Sequence, residues 1–468
     1  MMAQTTTNKP KVPSHSIEKI RSYSEVVSFL DKLKPIEYSS NVPQRMKDLN
    51  TLLGNVTDKV DIALIGGTNG KSSSMHFAAK LLNEEGFKVG ISYSTHFPSY
   101  NERTVLNAQQ ITNKTFTDIA NKVINTVESN NIKATSFEIT TMISLLLFAE
   151  SNIDIALLEV GLGGKYDATT ICNPLIAAVT RIAEDHTDCL SENLDEVTFE
   201  MLEIAKSGTW LVSAEQSKIR LQKMKNWAEA HNVKWAMPIR KLASLPYVYE
   251  QLYGRSASLG ERIAQIYTET IKGQFSPFLR GNLLATEKGQ RGRPTLQAKR
   301  DAELNPIKTL KTFWAAEFNL LRGRFELLNK EKPSILIDGA HNVDALSNVF
   351  LGVRLLHYQK PLNGLSLIIG LQSNIKANEV LKLVRYLLKK VTGNIYFVPL
   401  SEETPYHTPE DLASLSKELN ISAHACKTFD EAFNKAKSTV DERDGLIVIT
   451  GTKSMVTNYW NNRGIKKF

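Results

Sequence analysis

The apolar run Asp61–Ile65 opens directly into Gly66-Gly67-Thr68-Asn69-Gly70-Lys71-Ser72-Ser73. The residues that follow carry helical periodicity, which stops at Gly86. Strand, glycine turn and helix in that order is the opening of an α/β unit. The glycines let several backbone N–H groups converge on one anion at the positive end of the helix. Lys71 can reach the β- and γ-phosphates of a nucleotide, and the hydroxyls of Ser72 and Ser73 can reach phosphate or Mg2+. The strict phosphate-loop pattern wants glycine five residues before Gly70, where Ile65 stands. The competing reading is a plain turn between strand and helix.

Further strand patterns follow at Lys88–Ser94, Ile153–Val160 and Leu175–Ile182. The last two are almost continuously apolar, as expected where helices cover both sheet faces. Before them, Tyr23–Leu53 reads as helical. From Lys241 to about Leu320 the pattern weakens, and Glu287–Glu303 mixes charges of both signs without an aromatic, so it reads as a solvated insertion. A second series then places strands at Ile335–Asp338, Leu365–Gly370, Asn394–Leu400 and Leu446–Thr450. The expected fold is α/β: a phosphate-loop N-terminal domain with a mostly parallel sheet (1–321), and a smaller Rossmann-like α/β C-terminal domain (322–468). The polar leader 1–17 and an insertion at about 285–305 lie outside these cores.

No apolar run approaches the ~20 residues a membrane helix needs. The leader faintly resembles a transit peptide but reads as a polar extension, and the expected location is cytoplasmic. Three cysteines without metal-ligand spacing fit a reducing compartment. A formal net charge of +8 suits an anionic small molecule. A nucleic-acid partner would require basic and aromatic residues clustered together, which the sequence lacks.

Three more constellations sit just after buried strands, where open α/β sheets hold ligands. Glu159 precedes Val160-Gly161-Leu162-Gly163-Gly164; Asp185-His186-Thr187-Asp188 follows the next strand; Asp338-Gly339-Ala340-His341-Asn342 lies in the C-terminal half, fourteen residues after Arg324. A carboxylate and an imidazole at neighbouring strand ends can converge on a divalent cation, though each alone is as often a cap or a loop bond. Asp338 could hold a ribose hydroxyl, and Arg324 could stack on adenine or bind phosphate.

Taken together and in this order, GTNGKSS, YSTHFPSYNER, SFEITT, LLEVGLGGKYDATT, DHTD and GRFELL…LIDGAHN resemble the folylpolyglutamate synthase and dihydrofolate synthase family of the Mur ligase superfamily, from about Tyr23 to Val456. The resemblance implies ATP-dependent addition of glutamate to dihydropteroate or (tetrahydro)folate polyglutamate through an acyl phosphate, by a monomer acting on small molecules. It implies ATP phosphates held by Thr68, Asn69, Gly70, Lys71, Ser72 and Ser73, and Mg2+ held by Ser94, Glu159 and His186. It places Asn282, Arg324 and Asp338 on the nucleotide, and Gly164, Asp167, Ala168 and Thr169 near the pterin. His341 falls at the glutamate pocket, and the catalytic set is Lys71, Glu159, His186 and His341.

The sequence also departs from the family. Met201 occupies the position of a lysine that the family commonly carbamylates, and a thioether cannot form a carbamate. One-metal catalysis, or Glu203 standing in, is the expectation. Ser373-Asn374-Ile375-Lys376 and Tyr406 differ from the family pattern as well. The rival readings are another amino-acid ligase of the superfamily and an inactive nucleotide-binding homologue.

Overall fold

The apolar runs form strands buried on both faces. In the structure, a computed structural model describing residues 19–95, 99–187, 189–239, 241–276, 279, 309–400 and 405–463, eight strands build the first sheet. They are β1 (Asp61–Gly66), β2 (Val89–Ser92), β3 (Thr104–Leu106), β4 (Gln109–Gln110), β5 (Ile155–Glu159), β6 (Ile176–Val179), β7 (Trp210–Ser213) and β8 (Lys234–Trp235), in the order β4-β3-β2-β5-β1-β6-β7-β8. All pairings from β2 to β8 are parallel, and only the β2–β3 and β3–β4 pairings are antiparallel.

The second sheet holds β9 (Glu326–Leu328), β10 (Ser334–Ile337), β11 (Leu365–Ile369), β12 (Gly393–Phe397), β13 (Ala423–Ala425) and β14 (Leu446–Thr450), ordered β13-β12-β11-β14-β10-β9. Five are parallel and β9 is antiparallel. Parallel sheets need helical crossovers, so helices cover both faces. Among the described residues, no helix is long and apolar enough to cross a membrane.

Two sequence expectations need correction. The segment Tyr23–Leu53 is two helices, Tyr23–Asp31 and Asn41–Leu52, because Pro35 in the intervening loop cannot continue a helix. The apparently weak stretch after Lys241 contains a 19-residue helix, Tyr247–Gln265, prolonged by a π-turn at Ile266–Ile271. This helix lies between the two sheets' layers: the Gly260 backbone packs on Phe77 and Ala78 of helix Lys71–Glu84, while Leu252 reaches Gly352 of helix Val343–Gln359. Flanked on both sides, it uses small residues such as Gly254, Ala257 and Gly260 and shows no single apolar stripe. One hydrophobic cluster therefore runs from Ala63 and Ile65, through Ala257 and Ile263, to Leu336 and Val448.

Glu261 on this helix is buried, and its carboxylate accepts the Trp314 indole N–H at 2.9 Å. Burial pushes its pKa up to about 7. A raised carboxylate pKa destabilises the fold progressively as pH rises from the ordinary value of 4.5 through 7. Glu261→Gln keeps an acceptor for Trp314. Denaturant unfolding should show it more stable than wild type by about 2–3 kcal/mol at pH 8 and unchanged near pH 4. A variant with equal or lower stability at pH 8 would contradict this assignment.

Candidate active site

The register of the first sheet aligns the carboxyl ends of its central strands. Ile65 of β1 pairs with Glu159 of β5, Gly66 with Val179 of β6, and Ser92 of β2 with Leu158. Their loops therefore share one edge. The second sheet turns its own carboxyl edge toward them, and a cleft of about 480 Å³ lies between the two.

At the phosphate loop, Gly67 has φ +112°, and a Cβ there would come within 2.2 Å of Thr180 Oγ1, so only glycine fits. The amides of Thr68 and Asn69 donate to the Arg181 carbonyl at 2.8 and 3.4 Å. The Thr68 hydroxyl donates to the Ala183 carbonyl and accepts from the Ala183 amide. These two residues thus clamp the loop to the end of β6. Helix Lys71–Glu84 starts after Gly70 with no side-chain cap, leaving its first amides facing the cleft. Lys71 Nζ folds back on the Gly67 and Thr68 carbonyls at 2.7 and 3.3 Å.

Residues 68–73, Ser94, Glu159, His186, Arg324, Asp338 and His341 all line this one cleft. Glu159 is buried and accepts from the Ser94 amide at 3.0 Å, which joins two of the expected metal ligands. The ring of His186, on a residue with φ +50°, sits instead beside Asp185, with Nε2 4.0 Å from Asp185 Oδ1. His341 Nε2 lies 3.5 Å from the other Asp185 oxygen. Asp185, His186 and His341 form a group whose ligand-capable atoms lie within 4.8 Å of one another. Burial opposes the Asp185 charge, yet His341, His186 and the Asn342 amide together hold its pKa below the usual carboxylate range.

Arg324 Nε donates to Ser72 Oγ at 3.3 Å, carrying a C-terminal guanidinium to the phosphate loop. Asp338 is buried, and its oxygens accept the Phe325 and Ala340 amides at 2.7 Å each, so it shapes the turn that presents Arg324. Burial raises its pKa. Asp167 is buried and bonds the amides of Gly161, Leu162 and Thr169. It holds the glycine loop from behind. Ala168 and Thr169 are buried beside it, and neither they nor Gly164 and Asp167 line the cleft. Glu200 accepts the Gly164 and Lys165 amides at 3.1 and 2.7 Å. Asn282 and the insertion lie outside the described residues.

Met201 is buried and faces the cleft, whereas Glu203 and Lys206 do not line it, so Glu203 is poorly placed to stand in for a carbamate.

Several site residues escaped the sequence reading. Asn69 Nδ2 donates to Asn342 Oδ1 at 3.0 Å and Asp344 Oδ2 at 2.8 Å, and Arg181 pairs with Asp344 at 2.6 Å, tying the phosphate loop to the second sheet. Lys453, the first residue of helix Lys453–Asn462, also lines the cleft. Its sequence context, strand-Gly-Thr-Lys-Ser-helix, was the available signal.

A phosphate loop facing a second α/β sheet across a charged cleft defines a two-domain nucleotide-dependent ligase of the Mur type, and residues 65–241 match the Mur ligase middle domain. The chain is 29% identical over 314 residues to the dihydrofolate synthase/folylpolyglutamate synthase of Bacillus subtilis (strain 168), spanning 65% of this chain and 70% of that protein. Escherichia coli FolC in complex with DHPP and ADP has the same fold: TM-score 0.70 at 21% identity, over 95% of this chain and 98% of that one. So does the bifunctional folylpolyglutamate synthase/dihydrofolate synthase of Yersinia pestis complexed with AMPPNP and Mn ion: TM-score 0.70, 21% identity, over 96% and 100%. In sequence and fold the chain is thus similar to the folylpolyglutamate synthase/dihydrofolate synthase proteins.

Proposed function

We propose that this chain is an ATP-dependent ligase joining L-glutamate to dihydropteroate and/or (tetrahydro)folate polyglutamate, with release of ADP and phosphate. The observation that carries the reading is the uncapped phosphate loop meeting Glu159, Ser94 and Arg324 in one cleft. The substrates of the family relatives, and the ADP and AMPPNP complexes of the two similar structures, support it. The chain divides near Leu321 into an ATP-binding part and a C-terminal glutamate-ligase part, and works as a cytoplasmic monomer.

The residues fit a hard divalent ion. A buried carboxylate and a hydroxyl supply oxygen donors, and the Glu159 charge is felt by Arg103 and Lys453. Ser94 and Glu159 would hold it, with His186, whose ring rests beside Asp185 here, as the third ligand the resemblance implies. When bound, Mg2+ supplies charge neutralisation for the terminal phosphate. The first amides of helix Lys71–Glu84 and the Lys71 ammonium orient that phosphate for in-line attack. An oxygen of the folate carboxylate forms a bond to the γ-phosphorus as the β,γ P–O bond breaks and ADP leaves. The glutamate amine then attacks the acyl carbon, the C–O bond of the mixed anhydride breaks, and phosphate departs. His341 Nδ1 donates to the Gly339 carbonyl at 3.0 Å and Nε2 faces Asp185 at 3.5 Å, so the ring is held between two acceptors where it can orient the incoming amine. Asn69, Asn342, Arg181 and Asp344 hold the two halves closed and keep water from the anhydride.

The test is a coupled ADP-release assay with glutamate and either dihydropteroate, tetrahydrofolate or a muramyl peptide, paired with a count of bound Mn2+ in the AMPPNP complex. Turnover on a pteridine acceptor with one tightly bound metal is expected, because Met201 cannot form a carbamate. Turnover with the muramyl peptide alone would move the chain to another branch of the superfamily. No turnover with any acceptor would favour a binding protein.

A further inference from the structure

We propose that the turn Gly451–Ser454 is a second anion-binding loop, and that Lys453 contacts the phosphoryl group in transfer from the side opposite Lys71. The inference rests on the ligase reading and adds a residue to that site.

The two turns are built alike. Each follows a buried parallel strand, β1 or β14, and runs through glycine and threonine to a Lys-Ser pair that starts a helix. Gly67 and Gly451 both have φ +112°. Lys71 and Lys453 are each the first residue of their helix. Gly451 is fixed in place: its amide bonds the Ala340 carbonyl at 3.1 Å, and a Cβ there would come within 2.3 Å of the Gly370 carbonyl oxygen. Thr452 does not cap the ten-residue helix; its hydroxyl pairs with that of Ser454 at 2.6 Å.

Local electrostatics disfavour a lysine here. A cation at a helix N-terminus meets the positive end of the dipole. Arg324, Lys71 and Arg103 add like charge, and Glu159 is the only compensating carboxylate among the causes acting on Lys453. Its ammonium makes no hydrogen bond or ion pair among the described residues. The side chain is half-buried, and its loss of solvation, the largest cause, with Arg324 next, pushes its pKa down to about 7. A cation kept under those penalties fits a site completed by an anionic ligand. Its neighbours Lys71, Arg324 and Glu159 belong to the phosphate end of the cleft, so the ligand is the terminal phosphoryl group rather than a substrate carboxylate.

Lys453→Met and Lys453→Arg in the full chain, titrated with AMPPNP and with ADP in Mg2+, test this. Lys453→Met should weaken AMPPNP roughly 10- to 100-fold while leaving ADP within about twofold, because only AMPPNP carries the γ-position. Lys453→Arg should recover most of the AMPPNP affinity. The Met variant should melt at or above the wild-type temperature, since it removes a partly desolvated cation crowded by Arg324, Lys71 and Arg103; this separates ligand loss from misfolding. An unchanged AMPPNP-to-ADP ratio overturns the proposal. So does a rise in KM for glutamate with AMPPNP binding intact, which would place a carboxylate there. Wild-type protein that binds neither nucleotide overturns the ligase reading itself.

Discussion

Lys71→Ala should lower the rate of ADP release by about 10³-fold while shifting the melting temperature little. Among the described residues the ammonium hydrogen-bonds only to the Gly67 and Thr68 carbonyls, so alanine leaves no buried charge without its partner. The loop itself stays pinned through the Thr68 and Asn69 amides on the Arg181 carbonyl and the Thr68 hydroxyl on Ala183. On the proposed mechanism, what is lost is a cation that meets the charge developing on the transferring phosphate. A single preorganised electrostatic group of that kind is worth about 10²–10³ in rate. Steady-state kinetics and thermal unfolding on the same preparation check both halves. Activity within tenfold of wild type would remove Lys71 from the phosphate site.

A comparable loss, about 10²–10³-fold, should follow Glu159→Gln, for a different reason. Glutamine has the same shape and can still accept the Ser94 amide, so β2 and β5 remain joined at their ends. It removes the carboxylate that in the proposed site draws a divalent ion and that offsets charge on Arg103 and Lys453. Mn2+ affinity, followed by electron paramagnetic resonance, should fall by at least tenfold. Some thermal stability should be lost too, because Lys453 then loses the carboxylate that offsets its charge. Retained Mn2+ affinity together with wild-type turnover would show that the ion is held elsewhere, and the Asp185, His186 and His341 group would be the next place to look.

Local chemistry explains why so much of the first sheet was legible. A strand buried on both faces must be apolar throughout, so DIALI, IALLE and IAAV identify themselves without their neighbours. The glycine turn at Gly67 is equally local, since its positive φ and the helix that follows are encoded within eight residues. Helix Tyr247–Gln265 was harder to see because the signal for a helix is an exposed face alternating with a buried one. This helix is enclosed on more than one side, and the small residues that permit close packing erase that contrast.

The same distinction governs the site. The sequence by itself determined the phosphate loop, the strand-end positions of Glu159, His186 and Asp338, and the absence of a carbamylatable lysine at Met201. Only the tertiary structure decided which way those groups face. It turned Asp167 onto the backbone of its own loop, placed His186 against Asp185 and His341, and brought Asn342, Asp344 and Lys453 to a phosphate loop hundreds of residues earlier in the chain. Side-chain type and strand position follow from short-range sterics and burial. The meeting of two carboxyl edges follows from sheet order and from the helix wedged between the sheets, neither of which any local stretch of residues encodes.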